Sequence, residues 1–260
     1  MSISDILLLS FVQSATEFLP VSSSGHLILM EKFGFSNQNL LMDISLHLGT
    51  LIAVLAFFHK DILNILKNFY KKSQEQKLLF HLIIATIPAC ILGYFLNDII
   101  ETTLRSPLII AFTSIFYGCL LWIADKFSTN KKEIKDIGVK EALIIGCAQA
   151  LALIPGTSRS GITMTSARFL GLNRVDSAKF SMLLSIPVIA LGAFYMLFKS
   201  ANKGILTPEI ISNLSIGIVS AGIFGLAAVW FLIHWLKTAS FALFAVYRII
   251  LGIILFCIFL

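Results

Sequence analysis

One carboxylate, one imidazole and a run of hydroxyls crowd into Gln13-Ser14-Ala15-Thr16-Glu17-Phe18-Leu19-Pro20-Val21-Ser22-Ser23-Ser24-Gly25-His26. A second polar stretch comprises Gln149 and Pro155-Gly156-Thr157-Ser158-Arg159-Ser160-Gly161, continuing to Thr163. A shift of 136 residues lays Gln13 on Gln149, Ser22 on Ser158, Ser24 on Ser160 and Gly25 on Gly161. The stretches look like copies of one design, one acidic and one basic. They are expected to meet in a single site.

The chemistry they offer is that of a phosphate. Arg159 lies in apolar surroundings, where a charge at helix centre costs roughly 2.5–3.5 kcal/mol and persists only with a partner or a task. Around it Thr157, Ser158, Ser160 and Thr163 supply hydroxyls, while Gly156 and Gly161 let backbone amides approach a ligand. If a half-helix begins here, its first amides point at the same spot. Guanidinium, hydroxyls and amides together make an anion cradle. The alternative is that Arg159 only pairs with Glu17 to hold the two stretches together. Glu17 follows Gln13 by four residues, on one helix face. The two could share a divalent ion such as Mg²⁺ or Ca²⁺, or Glu17 could act as a general base. His26 stands beside Ser22, Ser23 and Ser24. Any of these serines could be a nucleophile served by the imidazole, with the others capping the next half-helix. His47, four residues after Asp43, has ligand-like spacing but no third partner, and is taken as structural or supporting. His59, His81 and His234 are taken as structural.

The elements that must position these groups are membrane helices. Of 260 residues, 57% are hydrophobic and 13% charged, against about a quarter charged in an ordinary globular chain. Mean hydropathy is +0.90. The net charge of +6 does not indicate nucleic acid. Its lysines gather at 60, 67, 71, 72 and 77 and again at 126, 131, 132, 135 and 140, as cytoplasmic loops require. Cys90, Cys119, Cys147 and Cys257 lie in apolar runs without paired spacing, so neither a disulfide framework nor a zinc site is expected. No basic lead or cleavage pattern precedes the first cluster, which argues against a cleavable signal peptide.

A span needs about twenty apolar residues. Residues 40–58, 78–96, 107–124, 178–198, 214–236 and 241–260 meet or approach this. The runs 6–12 and 142–154 are too short and are broken by polar clusters, the second also by Pro155-Gly156. Such breaks at membrane depth need burial in protein or a wet cavity. Residues 1–30 and 141–173 are therefore expected to form two re-entrant helical hairpins. The expected fold is an all-α polytopic membrane protein with six transmembrane helices and these two hairpins. A first repeat, 1–125, carries hairpin 1–30 and three spans. A basic cytoplasmic loop, 126–140, joins it to a second repeat, 141–260, with hairpin 141–173 and three spans. With both lysine-rich loops inside, loops 97–106 and 199–212 fall outside. Three spans per repeat then force inverted topology, with the site near the bilayer middle.

Glu-Phe-Leu-Pro-Val-Ser-Ser-Ser-Gly-His at 17–26 and Pro-Gly-Thr-Ser-Arg-Ser-Gly at 155–161 resemble the two signature motifs of bacterial undecaprenyl-diphosphate phosphatases of the bacitracin-resistance type. Residues 241–249 and 46–50 are also similar, and the resemblance covers essentially the whole chain. It implies hydrolysis of undecaprenyl diphosphate to the monophosphate and inorganic phosphate, which recycles the cell-wall carrier lipid. The family's first motif is an acidic or amide residue four places before Glu. Gln13 and Glu17 fit its amide version, with one carboxylate fewer for metal. By resemblance the catalytic residues are Glu17, Ser23, His26 and Arg159, the metal ligands Gln13 and Glu17. Ser22, Ser24, Gly156, Thr157, Ser158, Ser160, Gly161 and Thr163 are the phosphate-binding set. The resemblance further implies a divalent metal, a polyprenyl diphosphate substrate for which bacitracin competes, and contact with membrane lipids. It also implies a multi-pass place in the bacterial inner membrane and a site open to the outer face. No nucleic-acid partner is expected, and a homodimer is left open.

Two rival functions share these features. The other lipid-phosphatase class uses a His downstream of its Arg, but none occurs between Arg159 and His234. A transporter or flippase of a phosphorylated polyprenyl lipid would use the same broken helices, yet would not need a serine and histidine beside the cradle.

Overall fold

Ser2 starts the first helix, α1 (Ile3–Phe18). Its hydroxyl accepts from the Asp5 amide while the Asp5 carboxylate accepts from the Ser2 amide, each at 3.2 Å. Two amides that a helix start leaves over are thereby satisfied. The same kind of contact recurs at α7 (Val139–Ala150), where the Glu141 carboxylate accepts from the Gly138 amide at 3.2 Å. The computed structural model describes residues 1–32, 34, 40–200 and 208–260, and only the backbone at 24, 40, 97–99, 101, 196–200 and 208.

The remaining helices are α2 (Ser23–Lys32), α3 (Leu40–Phe57), α4 (His59–Asn68), α5 (Gln74–Thr103), α6 (Pro107–Phe127), α8 (Arg159–Phe169), α9 (Arg174–Ser200), α10 (Pro208–Thr238) and α11 (Ala242–Phe259). Five are long and apolar enough to cross a membrane, or six if α3 and α4, bent by 73°, count as one span. The chain is an all-α polytopic membrane protein. Its surface is oily, with Phe11, Phe112, Trp122, Val219 and Ile253 exposed, while Ser10, Gln13, Ser14, Gln149 and Ser181 are buried. That inversion suits a molecule solvated by lipid chains.

Helix starts recur along the chain. Ile3 and Val139, Ser23 and Arg159, Leu40 and Arg174, Gln74 and Pro208, and Pro107 and Ala242 are each 134 to 136 residues apart. The halves interleave: α1 packs on α10, α7 on α5, α3 on α9 and α6 on α11. Close approach relies on small residues. A Cβ on Gly146 would stand 2.6 Å from the Ala85 carbonyl oxygen, and one on Gly49 would stand 2.5 Å from that of Ile218.

Three expectations change. The polar clusters are not interruptions throughout: α1 continues through Gln13 and Glu17 to Phe18, and Ser23 and Arg159 already begin helices. Hydroxyls inside these helices bond the carbonyl one turn back, as Thr16 does to Val12 at 2.5 Å and Thr163 to Arg159 at 2.8 Å, so polar residues need not end a helix away from water. Next, most of the outer loop expected at 97–106 is the last part of α5, which runs to Thr103. Of the other expected outer loop, 199–212, residues 201–207 lie outside the described residues. Finally, α4 was not anticipated. It is a short helix carrying Lys60, Asp61 and Lys67, and Asp61 is held by Lys179 at 2.6 Å. Its few apolar residues fall on one face, too short a run to register as a span.

At the end of α8 away from Arg159, Arg168 is fully buried. It donates to Asp125 Oδ1 at 3.0 Å, to Asn130 at 2.5 Å and to the Leu172 carbonyl. Arg174 and the Phe241 amide complete the shell around Asp125, at 2.8 and 3.1 Å. This buried knot ties α6, α8, α9 and the start of α11 together.

Candidate functional site

Two turns, one between α1 and α2 and one between α7 and α8, place the polar groups. In the first, α1 ends at Phe18 and α2 begins at Ser23; Ser22 between them has φ 81°. In the second, a 3-10 turn (Leu151–Leu153) ends α7 and α8 begins at Arg159, preceded by Ser158 with φ 69°. Both serines cap the helix after them. The Gly25 amide donates to Ser22 Oγ at 3.3 Å and the Gly161 amide to Ser158 Oγ at 3.1 Å. Two half-helix N-termini, each with spare amides and a positive dipole end, thus start next to one another.

Glu17 stands where they meet. Arg159 Nη2 donates to its Oε1 at 2.7 Å, and Ser23 Oγ donates to its Oε2 at 2.7 Å. Gln13 Nε2 lies 3.4 Å from the same Oε2 and 3.2 Å from His47 Nε2. Arg159 Nη1 donates to the Ser181 carbonyl at 3.1 Å, and Ser181 Oγ meets Thr163 Oγ1 at 2.7 Å. The carboxylate and guanidinium are 9% and 13% exposed, so the pair is shielded yet reachable.

They form one end of a cavity of about 550 Å³ whose wall includes Glu17, Ser22, Ser23, His47, Ser158 and Arg159. From this polar end it runs between α5 and α9 along Ala89, Gly93, Val188 and Gly192, to exposed Tyr94 and Tyr195. Pro88 and Pro187 lie inside these two helices, one residue before the stretches that form the wall. The arrangement suits a small, highly charged head on an apolar tail.

Not every expected residue faces this space. Among the described residues the cavity wall includes neither Gln13 nor His26, Gly156, Thr157, Ser160, Gly161 or Thr163. His26 instead bonds the Ser22 carbonyl oxygen and the Tyr247 hydroxyl, at 2.7 and 2.6 Å. The Ser23 hydroxyl is thus held by Glu17 at 2.7 Å, while the His26 ring nitrogens meet the Ser22 carbonyl oxygen and Tyr247. Ser160 Oγ donates to the Leu19 carbonyl at 3.1 Å, joining one turn to the other. Gly156, at φ 86°, could carry no Cβ, which would lie 2.1 Å from Thr113 Oγ1. The Ser24 side chain lies outside the described residues.

Arg248, which the motifs did not single out, and Gln149 complete the frame. Arg248 is fully buried, and its guanidinium reaches the carbonyl oxygens of Pro20 (3.4 Å), Gly156 (2.9 Å), Thr157 (2.8 Å) and Thr113 (3.4 Å). Pro20 and Gly156 are themselves 136 residues apart, so one cation bonds equivalent points of both turns. Gln149 lines the cavity, and its Oε1, like that of Gln13, is buried without a partner among the described residues. An arginine in a predicted span was the available signal for Arg248.

Known proteins are similar to this chain over nearly its whole length. The profile of the family described as bacitracin resistance protein BacA matches residues 6–254. The chain belongs to this family. Among its relatives, the undecaprenyl-diphosphatase of Elusimicrobium minutum is 47% identical, over 95% of each chain. That of Hahella chejuensis is 44% identical over 95% of each chain. That of Desulforudis audaxviator is 43% identical over 95% of this chain and 94% of the relative. BacA membership thus covers both turns, all the cavity-lining groups and Arg248.

The donor set also bears on a metal. Among the described residues no three His, Cys, Asp or Glu side chains gather to hold one. Mg²⁺, however, is commonly bound by one or two carboxylates together with substrate phosphates. Glu17, on the cavity wall, fits that smaller demand, and Gln13 one turn before it has an unpartnered Oε1 but is not part of that wall.

Proposed function

We propose that this chain hydrolyses undecaprenyl diphosphate to undecaprenyl phosphate and inorganic phosphate, returning the carrier lipid to cell-wall synthesis. The observation that carries the reading is Glu17, whose two oxygens hold Arg159 and Ser23, each at 2.7 Å, at the polar end of a largely apolar cavity. The lipid diphosphate places its charged head there and its first prenyl units between α5 and α9. The terminal phosphate takes donors from Arg159 and from the amides opening α2 and α8. Displaced from Arg159, Glu17 accepts the Ser23 proton. Ser23 Oγ attacks the terminal phosphorus, the bond to the bridging oxygen breaks, and undecaprenyl phosphate leaves. Water then cleaves the phosphoserine and releases inorganic phosphate. Arg159 offsets the charge on the transferring group throughout. Gln13 and Glu17 would hold the divalent cation, which when bound neutralises charge on the diphosphate oxygens.

In the membrane, α2 and α8 have 10 and 11 residues, about 15–17 Å at 1.5 Å per residue. That is about half of a 30 Å hydrocarbon layer, which supports two re-entrant hairpins from oppositely oriented repeats meeting near the middle. The lysine-rich connections lie on the cytoplasmic side of the inner membrane, and the cavity opens to the outer face. There bacitracin competes with the chain for the lipid diphosphate.

The test is phosphate release by purified protein in detergent from a polyprenyl diphosphate, with and without chelator. Release that stops on chelation and returns with Mg²⁺ is expected. Transfer of intact lipid between leaflets without any release would replace the hydrolase by a transporter. The Ser23–Glu17 hydrogen bond, which a carrier would not need, favours the hydrolase.

A further inference from the structure

His26 carries the imidazole of the first motif, yet it is not part of the cavity wall. Its Nδ1 lies 2.7 Å from the Ser22 carbonyl oxygen. A carbonyl oxygen only accepts, so Nδ1 bears the proton and donates. In the neutral ring Nε2 is then the acceptor, and the Tyr247 hydroxyl stands 2.6 Å away. The two rings lie within 9° of parallel. Both nitrogens are engaged by the protein, one by the backbone of the turn and the other by α11.

Ser22 is where bracing is needed. Its φ of 81° is one that residues other than glycine seldom adopt. Its carbonyl receives the helical His26 amide only at 3.3 Å. The adjoining residue is Ser23, and any rotation of the peptide between them swings the Ser23 hydroxyl relative to Glu17. At the equivalent place in the second turn stands Ile162, which has no polar side chain to offer. There the Ser158 carbonyl takes the Ile162 amide at 2.9 Å, and Arg248 grips the two preceding carbonyls.

We infer that His26 is a positioning residue: a strut from Tyr247 on α11 to the Ser22 carbonyl that aims Ser23 at Glu17 and carries no proton in the reaction. The inference rests on the proposed attack by Ser23. An asparagine amide can take the place of Nδ1–H against the Ser22 carbonyl but cannot carry a proton. His26→Asn is therefore expected to keep turnover within about tenfold of the parent. His26→Ala, which removes this brace, is expected to lose roughly 100-fold. Tyr247→Phe keeps the ring and drops the hydroxyl; kcat is expected to fall roughly three- to tenfold with KM unchanged.

The assay is phosphate release from farnesyl diphosphate by the full chain in detergent, followed from pH 5 to 9, with size-exclusion profiles confirming the fold. A pH profile of unchanged shape in the asparagine variant supports the strut. A folded His26→Asn as inactive as His26→Ala, or one that loses an ionisation from the profile, overturns it. So does Tyr247→Phe with unaltered kcat. Parent protein that releases no phosphate would instead overturn the hydrolase reading beneath it.

Discussion

The turn before α2 and the turn before α8 share a backbone design but not a chemistry. Each has a left-handed serine whose hydroxyl caps the next helix, and each yields a carbonyl to Arg248. The residue after the cap differs: Ser23 in one, Arg159 in the other, at equivalent positions. The residue six places earlier is Glu17 in the first and Leu153 in the second. The two turns share one frame, and differences at a few positions make them a donor–acceptor pair. Their supports have diverged as well. Thr113 Oγ1 reaches the Pro155 carbonyl at 2.8 Å on the second side, while His26 and Tyr247 brace the first.

This comparison can be broken most sharply at the ion pair. Arg159→Ala and Glu17→Ala should each reduce phosphate release at least about 10³-fold while the detergent-solubilised protein still elutes as a single species. Near-normal turnover in either variant would separate the two turns functionally. Ser23→Ala should cost about 10²–10⁴-fold in kcat. If the frame is shared as described, Arg248→Met should unsettle both turns together. We expect about 3 kcal/mol of lost stability, seen in thermal melting, with activity lower than that loss alone would explain. The smallest effects should come from Ser22→Gly and Ser158→Gly. Each loses a cap hydroxyl but relaxes a positive φ, so melting should shift by less than about 1 kcal/mol. A large loss at one position only would show that the two caps are not equivalent.

Some of this was legible in the residues. The 136-residue echo pointed to paired turns, and an arginine and a glutamate in oily surroundings pointed to each other. The Gln13–Glu17 spacing suited one helix face, but that α1 runs unbroken from the apolar run through these residues was not legible, because polarity ends a helix only where water competes, and these hydroxyls find carbonyls one turn back. Along the chain, His26 reads as the partner of the serines beside it. In three dimensions a residue four places away offers its carbonyl, and one 221 places away offers its hydroxyl.

The amino-acid sequence by itself determined the membrane class, the approximate spans and the meeting of Arg159 with Glu17, because apolar length and isolated charge leave few solutions in lipid. Only the tertiary structure decided which partner each polar group took. That choice depends on angles and distances between helices far apart in the chain, and residue type does not encode them locally. It assigned Ser23 to Glu17, turned His26 toward Tyr247, and placed Arg248 between turns whose equivalent carbonyls face a single guanidinium.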